Sequence, residues 1–382
     1  MQLVTAGAVD RVPTPMPGSM ARTAGCVALL HLSLLVLLAV QAWPLGGLPH
    51  AVCHWDCAWY ERIAVGGYAP HPVTNPADFG QASWAFFPLY PLLVRAVMAA
   101  TGMGADGAGF AINVALFPVL ALLAAAYMRQ KDESGADGLF RVVLFVILPT
   151  GFWYRLPYTE SLYGVLLLST TMAMARGWTM AAALLAAGLC LTRPTGLFCI
   201  VTIALFHMFA PRLAGPTERT PPDRLTRWVE GAVLVLAGAV GLALFIFFLD
   251  RLVGDGLAFG HVQVAWGHRF LTPVVWIYEG FTHRRTLDLA IAAIGEIALI
   301  WWGFRIRWVM ESSILLVTFL LASSTGLVSI HRYVLANPFA NMLIAILACR
   351  LPRRWRPWVV VLCLGLDVVF ADSWLHGRRF LV

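Results

Sequence analysis

The sequence predicts an all-α polytopic membrane protein, and three observations lead to that prediction. Of the 382 residues, 60% are apolar and only 12% are charged, which is about half the charged fraction of an ordinary soluble domain. The mean hydropathy is +0.76. Apolar segments also recur from end to end without a polar block between them. We therefore expect a single transmembrane domain over residues 21–382.

The N-terminal 20 residues differ from the rest of the chain. They are rich in Pro, Gly, Ser and Thr, a composition typical of disorder, and are predicted to form a disordered cytoplasmic tail. The alternative is a cleaved signal peptide, because Arg22 precedes an apolar run that ends near Ala42. That alternative is disfavoured, because no other segment would replace the lost crossing.

A helix that spans a bilayer needs about 20 mainly apolar residues. This criterion predicts about eleven spans, several of them short, at 24–42, 107–128, 139–154, 160–175, 178–191, 195–211, 229–249, 286–304, 309–328, 333–349 and 357–371. The segment 84–100 is different, because Pro88, Pro91 and Arg95 interrupt it. It is predicted to be a re-entrant or juxtamembrane helix in the first outer loop.

The basic residues set the orientation. With the N-terminus in the cytoplasm and 84–100 not counted as a crossing, the basic loops fall on the cytoplasmic side, in agreement with the positive-inside bias. These loops contain Arg129, Lys131, Arg141, Arg212, Arg219, Arg224, Arg227, Arg305, Arg307, Arg350, Arg353, Arg354 and Arg356. Because these residues lie between apolar spans rather than on one soluble face, nucleic-acid binding is excluded.

The same orientation puts several polar residues on the outer face. Asp56 is the first candidate for catalysis, because a carboxylate at a bilayer edge is costly unless it is solvated or paired. Candidates to bind an anionic group are Arg193, His331 and Arg332, and candidates to contact a substrate are Trp55, Tyr60, Tyr158, Glu160, Gln263 and Arg269. Each has a structural alternative: Asp56 as a solvated charge at the interface, Glu160 as an acid at a helix N-terminus, Arg193 as a snorkelling arginine.

Two cysteines flank the Trp55-Asp56 pair. Cys53 and Cys57 could form a local disulfide in an oxidising compartment. With His54 they could instead contribute to a zinc site, although no second pair of ligands with metal-binding spacing follows in the sequence. Both possibilities stay open at this point, and neither a metal nor a cofactor is expected.

The motifs of the outer loops together resemble those of the PIG-V type mannosyltransferases. The first loop carries Trp55-Asp56, Tyr60, Ile63-Ala64, Gly67-Tyr68 and Phe86-Phe87-Pro88-Leu89-Tyr90-Pro91. Further motifs follow in the family's order, at Leu148-Pro149, Tyr158-Thr159-Glu160-Ser161-Leu162 and Leu191-Thr192-Arg193-Pro194-Thr195-Gly196. The resemblance covers roughly residues 20 to 350. Two positions depart from the pattern: Thr195 replaces an expected Asn, and Cys57 replaces the more usual Ser or Ala.

The resemblance implies a GT-C fold, a polyprenyl- or dolichyl-phosphate-mannose donor, and a catalytic aspartate in the first outer loop, a role that falls on Asp56. Short loops, as in bacterial relatives, suggest a bacterial inner (plasma) membrane with the active site on its outer face. The acceptor, whether a glycan, a lipid or a protein, does not carry over. A flippase or transporter of lipid-linked sugars is the alternative, although the sequence shows no internal repeat with matched broken helices. A structural membrane subunit is a third possibility.

Overall fold

The structure is a computed structural model that describes residues 17–131, 137–213, 222–283 and 286–378. Almost all of the predicted N-terminal tail lies outside these residues. Within them every regular element is a helix, which confirms the predicted all-α class.

The first nine α-helices are α1 Pro17–Ala42, α2 Leu48–Ala51, α3 Asp56–Gly66, α4 Leu89–Thr101, α5 Ala105–Lys131, α6 Gly138–Ile147, α7 Glu160–Arg176, α8 Thr179–Cys190 and α9 Thr195–Phe209. The remaining eight are α10 Arg224–Val253, α11 Ala258–His261, α12 Pro273–Thr282, α13 Leu287–Arg305, α14 Val309–Ser323, α15 Ile330–Leu335, α16 Pro338–Cys349 and α17 Arg356–Leu375. Short 3₁₀ segments connect several of them, among them Pro149–Arg155 and Val262–Trp266.

Five helical segments of the described chain are long and apolar enough to cross a membrane: Met20–Leu45, Ala105–Lys131, Arg224–Val253, Leu287–Arg305 and Arg353–Leu375. The number rises to seven if each of two bent helix pairs counts as one crossing. Four further apolar helices, α8, α9, α14 and α16, are shorter than this. The predicted membrane class is thus supported by helix length and composition, while the count of eleven crossings stays a prediction.

The segment predicted to be re-entrant contains a sharp turn. The helix axis bends by 89° between Pro76–Ala85 and Leu89–Thr101. Helix α4 has 13 residues, about 20 Å of helix, which is shorter than the hydrocarbon core of about 30 Å. Its Arg95 side chain donates to the main-chain oxygens of Ala64 (2.6 Å) and Ile63 (3.1 Å), so α4 is tied to the end of α3. This arrangement matches the predicted juxtamembrane helix in its length and position in the chain.

The bundle is built around α5, which packs against α1, α4, α6 and α7. Helices α7 to α10 form a second packed group, in which α10 lies along both α8 and α9. The α8–α10 contact is close because Gly241 lacks a side chain, and a Cβ there would collide with the main chain of Ala187. Small residues at such crossings are the usual way for transmembrane helices to approach each other.

Charged side chains inside the bundle have partners. At one end of α5, Lys131 pairs with Glu311 of α14, and the Tyr127 hydroxyl donates to the same carboxylate at 2.5 Å. We call these three residues the inner triad. Arg155, in the 3₁₀ segment before α7, pairs with Asp367 of α17. Pairing of this kind is what makes a charge tolerable inside an apolar bundle.

Candidate functional site

Asp56 is the first residue of α3, and three features define the backbone around it: a disulfide, an unusual φ angle and a ring contact. Cys53 and Cys57 form a disulfide, so the disulfide alternative holds and the two thiols cannot act as zinc ligands. Trp55, between them, has a φ of 47°, a strained value for a residue other than glycine. Its ring packs edge-on against Trp374, with 4.6 Å between the ring centroids. The Trp55-Asp56 backbone is therefore held in one conformation.

Four charged side chains from distant parts of the chain meet beside this backbone. We call Asp56, Glu160, Arg193 and Arg332 the outer ionic cluster. Arg332 Nη2 lies 2.6 Å from Asp56 Oδ2, and its Nε lies 3.3 Å from Glu160 Oε1. Arg193 Nη2 lies 2.5 Å from the same Glu160 oxygen. Glu160 thus contacts both guanidinium groups, while Asp56 contacts only Arg332.

The members of the cluster differ in their exposure. The side chain of Glu160 is 1% exposed and that of Arg332 is 6% exposed, whereas the Asp56 side chain is 27% exposed. Glu160 Oε2 is buried and has no hydrogen-bond partner among the described residues. Asp56 is therefore the acid of this cluster that a molecule arriving from outside can reach.

Aromatic rings and one hydroxyl surround the two arginines. The Arg332 guanidinium lies 4.9 Å from the centre of the Tyr158 ring and 5.4 Å from that of Tyr333. The Arg193 guanidinium lies 5.1 Å from the Tyr333 ring, and its Nε donates to Thr159 Oγ1 at 2.8 Å. Such cation–π contacts stabilise a cation that has lost its water. The rings cover the guanidinium faces, while the guanidinium edges contact Asp56, Glu160 and Thr159.

Tyr60 and Tyr158 connect the cluster to the aromatic wall of the first outer loop. The Tyr158 hydroxyl donates to the main-chain oxygen of His54 at 2.8 Å, and its ring packs edge-on against Tyr60 at 6.4 Å. Tyr60 also contacts the rings of Phe86 and Tyr90. Burial and then the negative charge of Asp56 raise the pKa of Tyr60. The Tyr60 phenol is therefore a neutral group that can donate a hydrogen bond.

Gln263 and Arg269 lie between α11 and α12, in a segment expected on the outer face that we call the second outer segment. Gln263 Oε1 accepts a hydrogen bond from His268 Nδ1 at 3.0 Å, and Arg269 is exposed. Trp266, in the same segment, packs edge-on against Trp59 and Phe86. This packing brings the segment to the first outer loop. Burial lowers the pKa of His268, and the charge of Asp56 opposes that change.

His331 does not face the outer ionic cluster. Its Nδ1 lies 2.9 Å from Glu296 Oε1 of α13, and the Glu296 side chain is 1% exposed. Although His331 is adjacent to Arg332 in sequence, the two side chains have different partners. Of the two residues, only Arg332 lies at the outer ionic cluster, and the binding of an external anionic group by either stays a prediction.

The structure brings four residues to the predicted ones that were not among the candidate site residues: Thr159, His268, Glu296 and Tyr333. A signal existed for Glu296, since an acid within the predicted span 286–304 is expected to be paired or functional. Tyr333 follows directly after the His331-Arg332 pair. Thr159 lies in the motif around Glu160 and His268 lies next to Arg269, so the sequence indicated both positions without giving either a role.

The chemistry available at this site is that of an accessible carboxylate beside two buried guanidinium groups. The carboxylate can take a proton, and the guanidinium groups can stabilise a developing negative charge. One set of residues has metal-ligand spacing in the described chain, namely Cys53, Cys57 and Glu61. Because both of its sulfur atoms are in the disulfide, this set does not fit a metal ion.

Comparisons of the chain with protein-family models, with curated proteins and with solved structures found no match.

Proposed function

We propose that this protein is a membrane glycosyltransferase of the GT-C type, which moves a hexose from a polyprenyl-phosphate donor to an acceptor. Mannose is the sugar that the sequence resemblance favours. The observation that carries the proposal is the outer ionic cluster, in which the partly exposed Asp56 carboxylate contacts the buried Arg332 guanidinium at 2.6 Å. A proton acceptor and an anion-stabilising group therefore lie side by side.

The proposed reaction is a single displacement with inversion. Asp56 accepts the proton of an acceptor hydroxyl, and the hydroxyl oxygen forms a bond to the anomeric carbon. The bond between that carbon and the phosphate oxygen breaks, and the electron pair leaves with the polyprenyl phosphate. One carboxylate is enough, because the phosphate leaves as a stable anion and needs no general acid. Glycosidases, in contrast, need two carboxylates.

Arg193 and Arg332 are the proposed ligands of the donor phosphate. Both are buried beside tyrosine rings, and a guanidinium binds phosphate oxygens with paired hydrogen bonds. Arg332 contacts Asp56. A phosphate that takes over part of this contact would leave an Asp56 oxygen available for the acceptor hydroxyl. The order of binding would then be donor first.

Six further residues are proposed to contact the sugar or the acceptor: Trp55, Tyr60, Tyr158, Glu160, Gln263 and Arg269. Tyr60 and Tyr158 are in contact with each other beside the cluster, and Glu160 Oε2 is an acceptor without a partner in the described chain. Arg269 is exposed and would meet only the outermost part of an acceptor. His331 is proposed as a donor ligand with less geometric support, because it faces Glu296.

The decisive experiment is transfer of labelled mannose from polyprenyl-phosphate mannose by the purified protein in lipid nanodiscs. Asp56→Asn keeps the shape of the side chain and removes its basicity, so we expect turnover to fall by about 100-fold or more. Donor binding should stay near wild type, and turnover is expressed per folded molecule because Asp56→Asn also weakens the contact with Arg332. Asp255→Asn is the matched control, since Asp255 is an outer-segment acid paired with His261. A variant of Asp56 that keeps a tenth of the turnover would exclude it as the base.

The proposed outer location of the site is tested by labelling cysteines in intact cells. A thiol reagent that cannot cross the membrane should reach Asn75→Cys, in the first outer loop, and miss Arg307→Cys, between α13 and α14. Both positions are exposed. The opposite pattern would place the site, and the donor, on the cytoplasmic face of the inner membrane.

A further inference from the structure

The contact between Glu296 and His331 is unusual in its position. Glu296 is in the middle of α13, one of the five helices that are long and apolar enough to span a membrane. Its carboxylate is 1% exposed and lies 2.9 Å from His331 Nδ1. The second oxygen of Glu296 and the second ring nitrogen of His331 are buried without hydrogen-bond partners in the described chain. A carboxylate this deep in an apolar helix is energetically costly, so its contact with His331 is expected to have a role.

The contact with His331 ties Glu296 to α15, the helix that carries both His331 and Arg332. It has only six residues and begins after Ser329, whose φ is 64°. A helix of this length has no stability of its own, so its neighbours must hold it in place. Successive residues of a helix point about 100° apart. His331 is therefore directed to α13 while Arg332 is directed to Asp56 and Glu160.

We infer that Glu296 is a positioning residue, which holds α15 through His331 and thereby sets where Arg332 meets Asp56 and the donor phosphate. This inference rests on the proposed function. Glu296 does not touch the outer ionic cluster, and its one contact with a proposed binding residue is the one with His331. Its effect on the reaction comes from orientation, and a displacement of about 1 Å in a reacting group can cost about 100-fold in rate.

The test compares Glu296→Leu, which removes the partner of His331, with Glu296→Gln, which keeps an acceptor for it. Glu311→Leu is the matched control, because Glu311 is equally buried in a neighbouring helix but belongs to the inner triad. All three proteins are purified in nanodiscs, and the fraction folded is measured. We expect Glu296→Leu to lower kcat per folded molecule by about tenfold or more. Glu296→Gln should recover most of that loss, and Glu311→Leu should lose folded protein without a change in kcat.

A purely structural role for Glu296 makes a different prediction. In that case Glu296→Leu and Glu311→Leu would both lose folded protein, and kcat per folded molecule would be the same in both. That result would overturn the inference while leaving the proposed function intact. Wild-type protein that transfers no sugar would instead refute the proposed function.

A second measurement tests the positioning without any assay of activity. The melting temperature is measured for Glu296→Leu, for Asp56→Asn and for the double variant. If α15 connects the two sites, the two shifts should not add, because loss of one contact already loosens the helix that makes the other. The pair Glu311→Leu and Asp56→Asn should be additive. Additive shifts in both cycles would overturn the inference, whatever reaction the protein performs.

Discussion

The outer ionic cluster and the inner triad both place charged side chains inside an apolar bundle, but they differ in the number of acids and in how exposed those acids are. In the inner triad a single acid, Glu311, is fully buried; Lys131 and Tyr127 share one of its oxygens, and its Oε2 has no hydrogen-bond partner among the described residues. In the outer cluster two acids share two arginines, and one acid, Asp56, is partly exposed. Burial of a charged side chain therefore does not by itself indicate a functional site. The feature that distinguishes the outer ionic cluster is an acid, Asp56, that is both paired with an arginine and partly exposed.

The largest effect that we expect concerns the inner triad. Lys131→Met removes one partner and leaves Glu311 as an uncompensated buried charge, which should lower the free energy of unfolding by about 3–5 kcal/mol. The double variant Lys131→Met/Glu311→Leu should recover most of this loss, because an apolar pair needs no compensation. Unfolding in detergent, followed by circular dichroism, measures both. A double variant no more stable than the single one would contradict the comparison.

The next effect concerns Arg332, the arginine of the outer ionic cluster that contacts Asp56. A charged hydrogen bond to the donor phosphate contributes about 1.5–3 kcal/mol, so Arg332→Ala should lower sugar transfer by about tenfold or more. Arg332→Lys should recover only part of the activity, since an ammonium group cannot make the paired contact. Binding of polyprenyl phosphate by titration calorimetry separates lost affinity from lost turnover. Normal binding and transfer by Arg332→Ala would make Arg193 the leading phosphate ligand.

The sequence predicted the class of fold well, for a physical reason. Apolar segments of helical length appear directly in composition, and all eleven predicted spans are helical over most of their length. The length of each helix was less predictable, because bends such as the 64° between Gly138–Ile147 and Pro149–Arg155 arise from packing. The placement of Asp56, Glu160 and Arg332 on the outer face rests on charge asymmetry alone and stays a prediction.

Which charge meets which partner was not predictable. Glu160 and Arg332 are far apart in sequence, and so are Lys131 and Glu311, so each pair is decided by the tertiary packing of helices. His331 and Arg332 illustrate the limit most clearly. The sequence suggested one shared role for two adjacent residues, whereas the turn of α15 directs them to different helices. The strained backbone at Trp55 also had no signal in the sequence.

A smaller effect is expected from the disulfide that precedes Asp56. Closing the short loop between Cys53 and Cys57 should stabilise the protein by about 2 kcal/mol through the entropy of the unfolded chain. The double variant Cys53→Ala/Cys57→Ala should lose that amount and some activity, since Trp55 and Asp56 are held by this loop. A reducing agent should affect the wild-type protein in the same way and leave the variant unchanged. Equal sensitivity of both proteins would mean that reduction acts elsewhere.

The smallest effect concerns His268, whose pKa depends on the charge of Asp56 in the outer ionic cluster. Burial lowers its pKa from the usual 6.5, so the folded protein binds the proton less readily than the unfolded chain. Stability should therefore be unaffected above pH 6.5 and should fall as the pH decreases from 6.5 towards the folded pKa, by at most about 1.4 kcal/mol per pH unit.

His268→Gln should remove this part of the pH dependence, and His71→Gln, which replaces an exposed outer-loop histidine, should not. In Asp56→Asn the decline should extend to lower pH, because the charge that opposes the effect of burial is gone. Melting temperatures between pH 8 and pH 4 measure all three variants. An identical pH profile for wild type and Asp56→Asn would show that the charge of Asp56 does not affect the pKa of His268. In that case no electrostatic interaction would couple the second outer segment to the outer ionic cluster.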